Sequence, residues 1–314
     1  MIRKTAFIVA ICLLPAFLGA QQNPQKDDDF AIKVDVELVQ LPVSVLDKDG
    51  HMVNGLLQEH FQIFEDNVVQ EIGLFKHEDF PLSVGLVIDN SGSMRSKRER
   101  VNAAALAFAR ESNPDDETFI VNFDDSAYLE QDFTGSIGDL IDALDNIDTR
   151  GETALNDAIY LSMDHVKEGK QEKKALLVIS DGEDNASEYG FNKVLEHVRE
   201  SKDVTIYAIG LLEENDQRGG LFKKPPSKKA KEELTKLAEL TGGQAFFPKS
   251  IDDVEELCKR IARDLRDQYT IGYTPTNGQL DGSWREIRVK VTPPRNAPKV
   301  TVRTKQGYYA PSAP

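Results

Sequence analysis

The sequence has little cysteine and a deficit of positive charge. Cys12 and Cys258 are the only cysteines in 314 residues, so no disulfide framework is expected. Lys and Arg number 38 against 53 Asp and Glu, and the formal net charge is −15. So acidic a chain is not expected to bind nucleic acid by neutralising phosphates. Burial of its hydrophobic residues, 40% of the chain, must therefore stabilise the fold.

Long apolar runs are also missing, except near the start. Two basic residues, Arg3 and Lys4, precede the 13-residue run "AFIVAICLLPAFL", and "LGA" follows it. This pattern is typical of a secretory signal peptide, here residues 1–20. The alternative, a membrane anchor, is disfavoured because a spanning helix needs roughly 20 apolar residues. We expect an exported protein, periplasmic or secreted, with no stable membrane insertion after cleavage.

Three regions differ in the period of their apolar residues. Residues 21–80 form an N-terminal β segment, in which Val34, Val36 and Leu38 alternate with charged residues. Residues 81–268 alternate short buried runs with helical periodicities, which predicts an α/β, mostly parallel, doubly wound sheet. In residues 269–314 every second residue is again apolar, in "YTIGY", "REIRVKV" and "KVTVRTK", which predicts a C-terminal β segment.

The two β segments are each small for an independent core without disulfides. Together they supply about seven strands, the number in an immunoglobulin-like β-sandwich. We therefore predict that 269–314 pairs with 21–80, so that the α/β domain is inserted in, or flanked by, a shared sandwich. Cys258 lies at helical spacing with Val254 and Ile261, and we interpret it as a packing residue.

Small oxygen-bearing side chains follow the predicted strands of the α/β region. "DNSGS" ends the first buried run, "SDGEDN" follows "ALLVIS", and "TRGETALND" precedes a helix. Ligands bind beyond the carboxyl ends of the strands in such sheets. Each residue, taken singly, is also explained as a turn or a helix cap.

Taken together, these positions resemble the metal-ion-dependent adhesion site of von Willebrand factor A domains. The resemblance covers residues 82 to about 268. It implies that Ser91, Ser93 and Thr153 ligate a metal by their hydroxyls, and that Asp89 and Asp181 act mainly through bound waters. An all-oxygen set favours a hard cation, Mg²⁺ first and Mn²⁺ or Ca²⁺ next. Two carboxylates balance a dication, and the family binds an exposed Asp or Glu carboxylate of a protein partner.

The flanking segments resemble those of bacterial exported proteins related to von Willebrand factor A, best recognised among Acidobacteria. The stretches that carry this likeness are "VSVLDKDGHMVNGLLQEHFQIFEDNVVQEI" and "YTIGYTP". The likeness supplies no function beyond that of the adhesion site.

Three functions are compatible with these patterns. The leading hypothesis is an exported, metal-dependent adhesion module without catalytic residues. An alternative is a metal-dependent hydrolase or phosphatase of the envelope. A phosphatase of the haloacid dehalogenase type, however, requires a second acidic residue at position 91, where this chain has Ser91. The sequence has no G-x-S-x-G elbow, no Walker loop, no H-E-x-x-H helix and no Cys/His cluster. The third hypothesis is a structural envelope component with a bracing metal. Glu183 and Asp184 either order the hydrogen bonds around the metal ligands or solvate their loop, and we favour solvation. Met94, Arg95 and Tyr189 are candidate ligand contacts.

Overall fold

Residues 38–111, 113–145, 149–201, 203–212, 226–295, 297 and 299–313 are the part of the chain that this computed structural model describes. The predicted signal peptide, residues 1–20, lies outside it, and so do Val34 and Val36 of the first predicted strand. Leu38 is described, but it precedes the first strand and is 39% exposed. Among the described residues, no helix combines the length and apolar character that a membrane span requires.

The strands fall into an N-terminal, a central and a C-terminal group. The N-terminal strands are β1 Val39–Leu46, β2 Phe61–Glu65, β3 Val68–Gln70 and β4 Ile72–Lys76. The central strands are β5 Leu82–Asp89, β6 Glu117–Phe123, β7 Ala127–Thr134, β8 Lys173–Ser180, β9 Val204–Gly210 and β10 Ala245–Phe246. The C-terminal strands are β11 Tyr269–Tyr273, β12 Trp284–Val291, β13 Thr301–Arg303 and β14 Gly307–Tyr309.

The central strands form one sheet in the order β10-β9-β8-β5-β6-β7. All pairs are parallel except β6 with β7, which is antiparallel. The stretch "YLEQDFT" of β7 predicts such an antiparallel edge strand. Every residue of β5 is buried, as expected for a strand covered on both faces. Gly85 of β5 has no room for a side chain, because an added Cβ would lie 2.3 Å from the Phe119 ring. The mixed α/β fold with a mostly parallel sheet is confirmed.

Helices cover both faces of this sheet. They are α1 Arg98–Glu111, α2 Ile137–Asp145, α3 Leu155–His165, α4 Phe191–Glu200, α5 Pro226–Thr241 and α6 Val254–Arg266. Apolar residues of α1, α2 and α6 share one buried cluster, and those of α3, α4 and α5 share another. Cys258 of α6 is fully buried in the first cluster, and burial raises the pKa of its thiol to about 12. Its packing role is confirmed.

The N- and C-terminal strands of the described chain make two further sheets, ordered β13-β1-β11-β4 and β14-β12-β2-β3. Each sheet combines strands from both ends of the chain: Val39 pairs with Tyr273, and Ile63 pairs with Val289. A third apolar cluster lies between the sheets. Within it the buried carboxylate of Glu65 accepts hydrogen bonds from the hydroxyls of Tyr273 at 2.7 Å and Tyr308 at 2.9 Å. The immunoglobulin-like class of this sandwich stays a prediction.

The described residues of the sandwich form eight strands, where the sequence predicts about seven. The stretch "VQEIGLF" predicts one short strand, but its residues belong to both β3 and β4, which lie in different sheets. Glu71, the residue between them, marks the change of sheet. The short β14 carries no long alternation and was not predicted.

Two chain segments connect the sandwich to the α/β region, and they lie side by side. Arg266 at the end of α6 donates from Nε to the carboxylate of Asp79 at 3.0 and 3.1 Å. The His77 ring stacks on Tyr269 at a centroid distance of 4.2 Å, and its Nε2 lies 3.2 Å from the carbonyl oxygen of Asp267. The carboxyl edge of the central sheet lies at the opposite ends of the strands.

Candidate metal site

Three loops meet at the carboxyl edge of the central sheet, and backbone hydrogen bonds join them. The loop after β5 is tied to the loop before α3, since the amide of Gly92 donates to the carbonyl of Gly151 at 3.1 Å and Arg150 donates to Asn90 at 3.0 Å. The loop after β8 joins them, because the amide of Asn185 donates to the carbonyl of Thr153 at 3.0 Å. The predicted site residues are therefore brought together.

A cleft of about 320 Å³ opens between these loops. Four of the five predicted residues line it, together with other polar groups. The lining residues are Ser91, Ser93, Gly151, Glu152, Thr153, Asp181, Glu183, Asn185 and Ser227. Oxygen atoms therefore dominate its wall.

The fifth residue, Asp89, is the last residue of β5 and is only 2% exposed. Its Oδ1 accepts from the amide of Ser91 at 2.9 Å, and its Oδ2 accepts from the hydroxyl of Ser180 at 2.6 Å. Burial, with a further contribution from the nearby charge of Asp181, raises the pKa of Asp89 to about 6. The carboxylate is thus held in a fixed orientation, in a place where its charge is costly.

The three hydroxyl residues are ordered by their own loops. A 3-10 turn, Gly92–Met94, follows Ser91 and brings its Oγ to 3.0 Å from the Oγ of Ser93. Thr153 is buried, and its amide donates to the side-chain oxygen of Asn185 at 2.8 Å. The hydroxyls are therefore presented from two separate loops.

Asp181 faces a cation from its own chain. The ammonium nitrogen of Lys97 lies 3.6 Å from Oδ2 of Asp181, and it donates to the carbonyl of Leu211 at 3.3 Å. The side chains of Lys97 and Asp181 are 22% and 12% exposed. Sequence reasoning missed Lys97, because it belongs to the loop after β5 whereas Asp181 follows β8.

The loop after β8 is braced against α3 by two carboxylates. Asp184 accepts from the side-chain amide of Asn156 at 2.8 Å and from the hydroxyl of Ser187. Asp157 accepts from the amides of Glu188 and Tyr189, each at 2.9 Å. Of the two interpretations of Asp184, the hydrogen bonds favour the ordering role over solvation, because the carboxylate fixes the loop that carries Asp181.

The donor set fits a hard divalent cation. Among the described residues, no group of three or more His, Cys, Asp or Glu side chains is arranged to hold a metal ion. The present set is of another kind, with two carboxylates and three hydroxyls. Such neutral and anionic oxygens suit Mg²⁺, Mn²⁺ or Ca²⁺. The buried charge of Asp89 has no cation within hydrogen-bond reach among its described partners, so a bound dication would compensate it.

Two sequence-based expectations about this edge need correction. Met94 is 1% exposed and belongs to the core cluster, so it is not available to contact a ligand. The balance of two carboxylates against one dication is also incomplete, since Glu152 and Glu183 line the same cleft and Lys97 faces Asp181. Tyr189 remains 42% exposed and stacks on Tyr160 at 4.4 Å.

Comparison with known proteins finds a family match in the central region. Residues 84–183 match the model of the von Willebrand factor type A domain family. No curated protein matches the chain in sequence. The matched residues run from β5 through the loop after β8, and include all five predicted ligands.

Solved structures have a similar fold at low sequence identity. A von Willebrand factor type A protein from Catenulispora acidiphila is 11% identical, with a TM-score of 0.50, over 88% of this chain and 75% of that chain. An aerotolerance-related membrane protein from Bacteroides fragilis is 16% identical, with a TM-score of 0.46, over 59% of this chain and 98% of that chain. The von Willebrand factor domain of the pilus tip protein Mfa5 from Porphyromonas gingivalis is 12% identical, with a TM-score of 0.46, over 59% of this chain and 95% of that chain.

Proposed function

We propose that this chain is an exported, metal-dependent binding protein of the von Willebrand factor A type. A divalent cation, Mg²⁺ first and Mn²⁺ or Ca²⁺ next, is held by Asp89, Ser91, Ser93, Thr153 and Asp181, and it binds an Asp or Glu carboxylate of a partner protein. The observation that carries this proposal is the convergence of Ser91, Ser93, Thr153 and Asp181, from three loops, on one cleft of about 320 Å³. The buried carboxylate of Asp89 is hydrogen-bonded to the amide of Ser91 beside them. The family match over residues 84–183 supports it.

The five residues contribute to holding the ion in different ways. Asp89 is oriented by Ser180 and by the amide of Ser91, so it contributes a fixed negative charge below the cleft. Ser91 and Ser93 offer adjacent hydroxyls from one turn, and Thr153 offers a third from the facing loop. When bound, the cation supplies positive charge and a free coordination position for a carboxylate.

The charge around the cleft makes the partner's binding depend on the cation. Asp181, Glu152 and Glu183 line the cleft and would repel an acidic partner in the absence of the ion. A dication offsets these charges and attracts the carboxylate. Removal of the cation should therefore abolish partner binding rather than weaken it slightly.

The proposed role is binding and not catalysis, and it extends to the rest of the chain. The binding domain is residues 81–268. We propose residues 21–80 and 269–314 as a β flank, whose described strands pair with one another and lie at the end of the central sheet opposite the cleft. Residues 1–20 direct export, and no nucleic acid is involved. An envelope phosphatase or a purely structural component would give different results in the experiment that follows.

Calorimetric titration of the full chain with Mn²⁺ and Mg²⁺ tests the proposal. Replacing Ser93 by Ala removes one hydroxyl from the cleft, and we expect metal affinity to fall by a factor of about 10 to 100, taking the loss of a supporting group as the lower guide. Ser96 is exposed on the same loop and does not line the cleft, so Ser96→Ala is the matched control and should bind as the wild type does.

Two outcomes would contradict the proposal. One is wild-type protein that binds neither Mn²⁺ nor Mg²⁺ in calorimetry. The other is an acidic partner that binds equally well in Mg²⁺ and in EDTA. A phosphatase would be indicated if the metal-loaded protein hydrolysed a phosphomonoester and the Ser93→Ala variant lost that activity.

A further inference from the structure

Lys97 lies beside the candidate metal site, although it does not line the cleft. It follows the 3-10 turn that carries Ser93 and precedes α1. Its side chain is 22% exposed, and its ammonium nitrogen reaches to 3.6 Å from Oδ2 of Asp181. This distance is longer than a hydrogen bond, so the attraction between the two groups is mainly Coulombic.

The ammonium is anchored independently of Asp181. It donates to the carbonyl of Leu211 at 3.3 Å, and Leu211 follows β9 rather than β8. The position of the positive charge therefore has a second support besides Asp181. A divalent ion that takes up Asp181 as a ligand must share that carboxylate with a fixed positive charge.

We infer that Lys97 competes with the divalent cation for Asp181 and thereby lowers the affinity of the cleft for metal. This inference rests on the proposed function, since it concerns the same cation. In the metal-free protein Lys97 offsets part of the negative charge that Asp89, Asp181, Glu152 and Glu183 bring together. The lysine thus stabilises the metal-free protein and opposes loading.

A purely structural role for Lys97 predicts the opposite sign. If the lysine only joined the loop after β5 to Asp181 and Leu211, its removal would loosen the site and weaken metal binding. If it competes, removal strengthens metal binding. The direction of the change therefore decides between the two roles.

The experiment is calorimetric titration of the full-length Lys97→Met variant with Mn²⁺. Methionine keeps the length of the apolar stem and removes the charge. We expect the dissociation constant to fall about tenfold, equivalent to about 1.4 kcal/mol. Arg100→Met is the matched control. Arg100 is exposed on α1, pairs with the carboxylate of Asp252 and does not line the cleft, so its loss should change the constant less than threefold.

Thermal unfolding gives a second readout. In EDTA the Lys97→Met variant should melt below the wild type, because the cleft carboxylates lose a counter-charge. Saturating Mn²⁺ should raise its melting temperature by more than it raises that of the wild type. Lys97→Gln, which is smaller and polar, should behave in the same direction if the methionine variant folds poorly.

The inference is overturned if the wild type binds Mn²⁺ and both lysine variants bind it equally or more weakly. A wild type that binds no Mn²⁺ would instead refute the proposed metal site, so the two failures are distinguishable.

Discussion

Replacing Asp89 by Asn should stabilise the metal-free protein and remove its response to divalent cations. Burial of this side chain, 2% exposed, raises the pKa of Asp89 to about 6 from the ordinary 3.8. Because folding raises the pKa of this carboxyl, its protonated form stabilises the folded state. This stabilisation is complete below about pH 4, and it is lost as the pH rises through 6. At about 1.4 kcal/mol for each unit of pKa, the loss at neutral pH amounts to about 3 kcal/mol.

The asparagine side chain fits the same hydrogen bonds. Its oxygen can accept from the amide of Ser91, and the hydroxyl of Ser180 can rotate to accept from the new amide group. The variant therefore avoids the cost of a buried charge, but the buried hydroxyl of Ser180, which also accepts from the amide of Gly182, loses the acceptor of its own proton. With about 1–2 kcal/mol subtracted for that lost hydrogen bond, the free energy of unfolding in EDTA at pH 7.5 should exceed that of the wild type by about 1–2 kcal/mol.

Urea unfolding in EDTA between pH 4 and pH 7.5 is the assay. The two proteins should converge towards pH 4, and excess Mn²⁺ at pH 7.5 should stabilise only the wild type. Asp115→Asn, at an exposed position on the opposite edge of the sheet, controls for the general loss of a negative charge. A variant that is less stable than the wild type in EDTA at pH 7.5 would refute the reasoning.

Two further predictions concern the core and the sandwich. Glu65→Gln should lower the free energy of unfolding, measured in urea titrations, by about 2 kcal/mol, because a neutral amide replaces a buried carboxylate that accepts from two tyrosine hydroxyls. Glu71→Gln, at an exposed position, is the control, and an equal effect of the two changes would contradict this prediction. Gly85→Ala should cost about 2 kcal/mol or more in the same assay, because its Cβ would lie 2.3 Å from the Phe119 ring. Gly73→Ala, where the nearest atom is 4.0 Å away, should change stability by less than about 0.5 kcal/mol, and equal effects of the two alanines would show that β5 adjusts freely.

Much of the central fold could be predicted from the sequence, because buried parallel strands leave long apolar runs. "VTIYAIG" corresponds to all of β9, and "FNKVLEHVRES" differs from α4 by one residue at its end. Helix α2 was missed, although Leu140, Ile141 and Leu144 have helical spacing. The division of "VQEIGLF" between two sheets could not be predicted, since it depends on which partners β3 and β4 find at distant positions.

The candidate site was predictable in its residue types but not in its surroundings. Asp89, Ser91 and Ser93 are close in sequence, and the rule for strand ends places Asp181 near them. Contacts between separate loops leave no local pattern, so the hydrogen bond from Ser180 to Asp89 and the position of Lys97 were missed. The presence of Glu152 in the cleft was missed for the same reason.

The mixed origin of the two sandwich sheets has a consequence for biosynthesis. β1 pairs with β11 and β13, and β2 pairs with β12, so the sandwich closes only after the C-terminal strands have left the ribosome. At about 5–20 residues per second, the N-terminal strands wait on the order of ten seconds or more for their partners. During that time their edges are open to pairing with other chains. Newly made chains are therefore expected to depend on a chaperone that shields β1–β4, and to aggregate during synthesis more readily than the finished protein does.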